Sequence, residues 1–301
     1  MRTNLAPASN SPGERAGALS RDTEFAFTEA DFRAIAELLR RECGISLGAN
    51  KKNLVYSRLA KRLRSNGLAS FRDYCELISS EAGAEERQAM IAAMTTNVTR
   101  FFREQHHFDH LRTEVLPRLA KTLRARGRAR IWSAGCSSGE EPYSIAMTVL
   151  AGIPEAAELN IRILATDIDP NMIAFGKAAT YGSAIADSVP AEYLKTWCVR
   201  GESGGETVYR IADRVRSLVS FNELNLLGPW PMKGQFDAVF CRNVMIYFDG
   251  DTQAKLCGHF ADLMPAGGVL YIGHSERLGE DDLSFDLCGR TTYIKRGRRD
   301  R

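Results

Sequence analysis

The chain has 301 residues, 44% of them hydrophobic and 26% charged, with a formal net charge of +3. That composition suits a globular protein with room for one large domain or two ordinary ones, and the net charge is too small by itself to imply nucleic-acid binding, although the basic residues are clustered. No apolar run reaches membrane-spanning length and no signal-peptide core follows Met1. The seven cysteines (43, 75, 136, 198, 241, 257 and 288) are odd in number and lack metal-ligand spacing, which predicts reduced thiols and a cytoplasmic location.

Residues 1–22, rich in Ser, Pro, Gly, Ala and Asn, predict a disordered leader. Residues 23–95 predict an all-helical domain. Thr28 is the expected N-cap of its first helix, with Glu29 and Asp31 in the first turn and Phe32, Ile35, Leu38 and Leu39 at helical spacing. A second helix carries Leu54, Val55, Leu59 and Leu63 and stops near Asn66-Gly67. A third starts near Ser70, and a fourth spans about 84–94. No acid occurs between Cys43 and Arg72. Arg58, Lys61, Arg62 and Arg64 crowd the polar side of the second helix, a pattern that fits a solvated face or a docking surface for an acidic protein helix.

Residues 96–128 predict a linker segment and a helix from Gln105 to about Arg124. From 129 to 301 the pattern is α/β. Strands at 130–134, 161–166, 236–241, 268–273 and 291–295 alternate with helices at 143–150, 170–178 and 252–263. This implies a mostly parallel sheet covered on both faces, with ligands outside the carboxyl ends of its strands. The rhythm breaks at about 181–221, where the alternating runs Val208–Ile211 and Val215–Phe221 predict a small antiparallel β insertion.

The first strand ends in Cys136-Ser-Ser-Gly139, and the second ends in Thr166-Asp-Ile-Asp169. Gly135 and Gly139 let a ligand approach the backbone, but the three glycines of a dinucleotide fingerprint are not present. That points from NAD toward another adenosine ligand, with S-adenosylmethionine the leading candidate. Asp167 can accept both hydroxyls of a ribose or cap the next helix; Asp169 is the better cap. Glu140 and Glu141 open a helix, where its dipole favours acids.

Five segments in order carry a resemblance: Thr95-Thr-Asn-Val-Thr-Arg-Phe-Phe-Arg-Glu104, Ser138-Gly-Glu-Glu-Pro-Tyr-Ser144, Ala165-Thr-Asp-Ile-Asp169, Phe236-Asp-Ala-Val-Phe-Cys-Arg-Asn-Val-Met-Ile-Tyr-Phe248 and Gly273-His-Ser-Glu276. The chain resembles the CheR family of chemotaxis receptor methyltransferases from about Phe25 to Lys295. The resemblance implies a Rossmann-like class I methyltransferase sheet behind a small all-α domain, and S-adenosyl-L-methionine as methyl donor, with S-adenosyl-L-homocysteine as product. It implies that Asn97, Thr99 and Arg103 line the cofactor and substrate site and that one of the two glutamates contacts the cofactor, Glu141 the better candidate with Glu140 close behind. The side-chain amide of Asn225 and the adjoining Leu226 backbone suit the adenine edge. Cys241, Arg242 and Asn243 lie beside the cofactor, and Tyr247 near the methyl group. Phe101 and Phe102 read as packing residues.

The implied reaction turns a glutamate side chain into its γ-methyl ester. That carboxylate, with a pKa of about 4.3, is ionised at neutral pH and needs no general base. Arg103 would hold it and Tyr247 would help position it. The implied partner is the cytoplasmic helical domain of transmembrane chemoreceptors, with no nucleic acid, no membrane insertion and a monomeric enzyme. His106, His107 and His110 read as structural and not as a metal site. The competing readings are a methyltransferase for a small molecule or nucleic acid, and a non-catalytic cofactor-binding adaptor. Cys241-Arg-Asn243 lacks the Asn/Asp-Pro-Pro-aromatic turn of an amino-directed base methylase, and no aromatic stacking platform accompanies the basic residues.

Overall fold

The structure, a computed structural model, describes residues 24–279 and 282–297. The expected leader and the last residues of the basic tail lie outside the described residues. Four helices come first: α1 (Glu29–Cys43), α2 (Lys52–Ser65), α3 (Phe71–Ser79) and α4 (Ala84–Met94). Thr28 caps α1 through a reciprocal box with Asp31, and Ser70 caps α3. Ile35, Leu39, Val55, Leu59, Leu63, Phe71 and Tyr74 meet in one core. Leu54, expected on the apolar face of α2, is exposed instead.

A polar cluster is buried in this helical unit. Arg62 pairs with Glu86 through Nε (2.9 Å) and Nη2, and the Tyr74 hydroxyl donates to the same carboxylate at 2.8 Å. Arg58 donates to the carbonyls of Met94 (2.7 Å) and Thr95 (3.0 Å) and to Thr96 Oγ1 (2.9 Å). It thereby fixes the exit from α4.

A helical segment then runs from α5 (His106–His110) through a π turn, Leu111–Val115, into α6 (Leu116–Arg124). The α/β region follows: β1 (Ala129–Ala134), α7 (Glu140–Gly152), β2 (Ile161–Asp167), α8 (Pro170–Ala178), β3 (Thr180–Gly182), α9 (Ala191–Trp197), β4 (Cys198–Ser203), β5 (Glu206–Ile211), α10 (Asp213–Arg216), β6 (Val219–Glu223), β7 (Ala238–Cys241), α11 (Gly250–Asp262), β8 (Val269–Ile272), β9 (Phe285–Gly289) and β10 (Thr292–Lys295). The main sheet has the order β6-β2-β1-β7-β8-β10-β9. Its first five strands are parallel, and β10 runs antiparallel to both of its neighbours, β8 and β9. Strand β1 alternates between the two faces: Ile131 packs under α6 and α7, while Trp132 and Ala134 pack with Phe260 of α11.

Two expectations need correction. The run Val215–Phe221 is not part of the β insertion. Its end forms β6, which pairs in parallel with β2 from Val219↔Ile163 to Glu223↔Asp167 and closes one edge of the main sheet. The insertion is a separate three-stranded sheet, β3-β5-β4, that ends at Ile211. The sequence reading also missed β9, a mostly exposed edge strand of Phe-Asp-Leu-Cys-Gly with few strand-forming residues.

Burial raises the Glu86 carboxyl, but hydrogen bonds from Arg62, Asn66 and Tyr74 outweigh it and hold the group below the usual carboxylate range. Its stabilisation is complete above the unfolded value of about 4.3 and is lost as pH falls through the lower folded value. Glu86→Gln is therefore expected to cost about 1–3 kcal/mol at pH 7. In urea titrations across pH, the gap between variant and parent should narrow as pH falls below about 4.3 and close only once the lowered folded value is passed.

Candidate active site

After β6 the chain must place its next strand, β7, on the other side of β1 from β2. The crevice between the carboxyl ends of β1 and β7 is where an open α/β sheet receives a ligand. A pocket enclosing about 960 Å³ of empty space opens there. Three parts of the chain line it: Cys43 and Ile45 at the end of α1, the junction segment from Thr95 to Arg103, and the loops after β1, β2, β6 and β7.

Gly135 leaves β1 with φ +81, and a side chain there would collide with Val244. Ser137, at φ 48, donates its N–H to Asp167 Oδ2 at 2.7 Å, and the Asp169 N–H donates to Asp167 Oδ1 at 3.0 Å. Asp169 Oδ1 caps α8 through the Asn171 N–H (2.9 Å), which relieves Asp167 of that role. Burial pushes the Asp167 carboxyl up, while the backbone donors act against it. Asp167 lines the pocket.

The junction segment is held by specific bonds. Asn97 Nδ2 donates to Asp169 Oδ2 at 3.1 Å, and Ser137 Oγ donates to the Asn97 carbonyl at 3.1 Å. The Phe102 N–H donates to Ser144 Oγ at 3.0 Å. Phe101 packs edge-on against Tyr181 and Phe102 against Phe108. Phe102 (φ 51) and Glu104 (φ 60) both lie in the left-handed region, as do Ser137 and Asn243 (φ 60) in the pocket lining. Such a concentration of non-glycine outliers marks a shape that the surrounding structure imposes.

Arg242, whose side chain is 2% exposed, ties these parts together. Its Nη1 donates to Glu141 Oε2 at 3.1 Å, Nη2 donates to the Arg103 carbonyl, and Nη2 lies 3.5 Å from Glu104 Oε2. Ser133 Oγ donates to the other Glu141 oxygen at 2.7 Å. Burial raises Glu141, opposed by Arg242. Burial also works against the charge of Glu104, but Arg242 and His274 win and hold it low. Glu276 is a second buried carboxylate, and it accepts the N–H groups of Asn243 (2.9 Å), Ile246 (3.1 Å) and Gly273. It shapes the loop that carries Tyr247. Glu104, Glu276 and Ser133 were missed as site residues, although the first two end segments that the sequence reading singled out.

Ten of the expected residues line the pocket: Asn97, Thr99, Arg103, Glu141, Asp167, Asn225, Leu226, Arg242, Asn243 and Tyr247. Cys241 does not. It is fully buried with Trp132, Val239 and Leu270, because the last residue of β7 points into the core face. The Asn225 amide is also taken up: Nδ2 donates to the Glu42 carbonyl at 2.6 Å, and Oδ1 accepts from the Leu227 N–H at 3.0 Å. It fastens α1 to the sheet and leaves only backbone to face an adenine. The Arg103 side chain lines the pocket; its Nη1 donates to the Val98 carbonyl at 3.1 Å and its Nε lies 4.0 Å from Glu104 Oε1. The Tyr247 carbonyl accepts the Ser46 N–H at 2.8 Å, and its hydroxyl has no hydrogen-bond partner among the described residues. On α2, Arg58 and Arg62 are spent inside the helical unit, Arg64 pairs with Glu24, and Lys61 is exposed.

His106 and His110 do not converge; His110 Nδ1 meets the Tyr271 hydroxyl at 2.9 Å. Glu104, His106 and His107 do bring ligand-type atoms within 4.8 Å of one another. The fixed charge of Arg242 beside Glu104 opposes a second cation at that point.

The comparisons decide the family. Residues 97–294 match the family model "CheR methyltransferase, SAM binding domain", and residues 30–95 match "CheR methyltransferase, all-alpha domain". The chain belongs to the CheR methyltransferase family. It is 51% identical over 257 residues to a probable chemotaxis protein methyltransferase of Rhizobium etli, covering 85% of this chain and 96% of that one. It is 39% identical over 283 residues to the chemotaxis protein methyltransferase of Escherichia coli, covering 93% and 96%. An O-methyltransferase family protein from Burkholderia thailandensis is similar at 14% identity and a TM-score of 0.32, over 65% of this chain and 42% of that one; a likeness so loose carries no argument.

The cofactor of this CheR protein is S-adenosylmethionine, and the pocket's donor set suits it. Two carboxylates line the pocket, Asp167 at the end of β2 and Glu141 paired with Arg242, and Asp167 is placed where a carboxylate can accept the hydroxyls of a ribose.

Two outcomes follow. Asp167→Ala is expected to weaken S-adenosylhomocysteine binding by about 10- to 100-fold in titration calorimetry, the loss of charge-assisted bonds to a ribose. His107 is held neutral by burial and by Arg242, its pKa lowered to about 3. Between that value and about 6.5 the unfolded chain binds the extra proton, so stability falls with falling pH. His107→Gln should flatten that slope in urea titrations between pH 6.5 and 4.5.

Proposed function

We propose that this CheR methyltransferase esterifies glutamate side chains on the cytoplasmic helical domain of transmembrane chemoreceptors, for sensory adaptation. The observation that carries the reading is the pocket's lining: Arg103 offers a cation at its mouth, and no histidine or cysteine placed as a general base faces it among the described residues. Cys43 and Cys136 do line it, but burial pushes both thiols up and keeps them protonated. A carboxylate is the side-chain nucleophile that needs no deprotonation at pH 7. The relatives' names, which place them in chemotaxis, support the same substrate class.

When bound, S-adenosylmethionine supplies a methyl group on a positively charged sulfur. Asp167 takes the ribose hydroxyls, Glu141 faces the charged methionine end, and the backbone at Asn225-Leu226 borders the adenine. Arg103 draws the substrate carboxylate in and aims one oxygen at the methyl carbon. The methyl would pass to that oxygen with the C–S electron pair kept by sulfur, so the residues here would have no proton to move. Tyr247 positions the reacting groups. The enzyme contributes proximity and alignment, so Arg103 must orient the carboxylate without neutralising it.

Incubation with methyl-labelled S-adenosylmethionine and a soluble receptor fragment is expected to give label that alkali releases as methanol, mapped to glutamate by mass spectrometry. Alkali-stable label, or no label from protein that binds S-adenosylhomocysteine, would contradict the reading. Arg103→Ala should lower kcat/KM for the fragment about 10- to 100-fold, with S-adenosylhomocysteine affinity within about threefold of the parent.

A further inference from the structure

The opposite edge of the main sheet carries a second recess that the methyl-transfer reading does not use. It lies at the amino ends of β1, β2 and β6 and encloses about 700 Å³ of space continuous with solvent. A strand as long as β1 spans about 20 Å, so the recess is well separated from the cofactor pocket.

Four cationic side chains line it: Arg128, Arg130, Arg162 and Lys233; no aspartate or glutamate does so among the described residues. Two of the four are rigidly held. Arg130 donates to the Ala129 carbonyl (2.7 Å), the Asn160 carbonyl (2.9 Å) and Asn160 Oδ1 (2.9 Å). Arg162 donates to the carbonyls of Leu159 (3.3 Å) and Ile161 (2.6 Å). These acceptors are neutral, so they orient the guanidinium groups without cancelling their charge. The nearest acid, Asp237, turns its carboxylate to the Arg130 backbone N–H at 2.8 Å. Arg128 and Lys233 are exposed and have no ion-pair partner among the described residues; Arg128 Nη2 lies 4.0 Å from where a side chain on Gly234 would begin. Burial, Arg128 and Arg162 all lower the pKa of Arg130, so these cations already repel one another. The sequence repeats the theme: Arg118–Arg130 contains Arg118, Lys121, Arg124, Arg126, Arg128 and Arg130, and no acid.

An ordinary solvated basic face is convex and interspersed with acids. This one is concave, has no acid in its lining among the described residues, with Asp237 alone set behind Arg130, and includes the apolar side chains of Met232, Phe236 and Leu164. Two positioned guanidinium groups, whose remaining N–H donors are unspent, and two free cations suit adjacent phosphate groups, and the apolar side chains suit a flat ring. The concavity favours a small ligand over a nucleic-acid strand. We infer that this recess is a second ligand site, which binds the phosphates of a nucleoside polyphosphate.

The test uses the full chain saturated with S-adenosylhomocysteine, so that the adenosine pocket is filled. ATP, GTP and inorganic tripolyphosphate are titrated separately by calorimetry at about 50 mM salt, where surface charge is only partly screened. The inference expects saturable 1:1 binding, tighter for a nucleotide than for tripolyphosphate. In the double variant Arg128→Gln/Lys233→Gln that binding should weaken at least about tenfold, with S-adenosylhomocysteine affinity unchanged. No saturable nucleotide binding, or equal affinity in the double variant, would overturn the site. Tripolyphosphate binding as tightly as the nucleotides, or duplex DNA displacing them at comparable concentration, would overturn the ligand class.

Discussion

The structure turns on one buried guanidinium. Arg242 sits just past the end of β7 and ties three segments together: the junction at Arg103-Glu104, the start of α7 at Glu141, and its own strand end. Two carboxylates depend on it. Without the cation they would be left nearly buried and uncompensated, which typically costs about 3–5 kcal/mol. The left-handed backbone at Phe102 and Glu104 is sustained by the same bonds, and that backbone aims Arg103 into the pocket. Arg242 is a positioning residue, and the cofactor site is a consequence of where it ties the chain.

The second constraint is topological. A parallel sheet whose strand order reverses beside β1 leaves a crevice, and the helical unit closes over it. The Asn225 amide bonded to the end of α1, and the Ser46 N–H bonded to the Tyr247 carbonyl, bring the helices to that crevice from the far end of the sequence. The pocket therefore has a sheet wall for the cofactor and a mouth at the junction of the two units.

Much of this was legible in the residues. Thr28, Ser70 and Asp169 announced helix starts through side-chain chemistry that acts within three positions, and Asp167 stood at a strand end by simple periodicity. What escaped depended on partners distant in sequence. The run containing β6 alternates in the same way whether it pairs in an insertion or with β2, and only the partner strand decides. Arg58 and Arg62 looked like a free basic face because their acceptors, Met94, Thr95 and Glu86, lie 24 to 37 residues away. Cys241 was grouped with Arg242 and Asn243 as a site residue, yet it belongs to the core face while its two neighbours line the pocket. Glu104 and Glu276 were inside recognised segments, but nothing local shows that one meets a buried arginine and the other gathers three backbone N–H groups.

The most direct test of the Arg242 constraint is hydrogen exchange of Arg242→Met beside titration with S-adenosylhomocysteine. The account predicts faster exchange across residues 97–104, at least about tenfold weaker binding, and unchanged protection in α1–α4. Unchanged protection in the junction together with parent-like binding would contradict it.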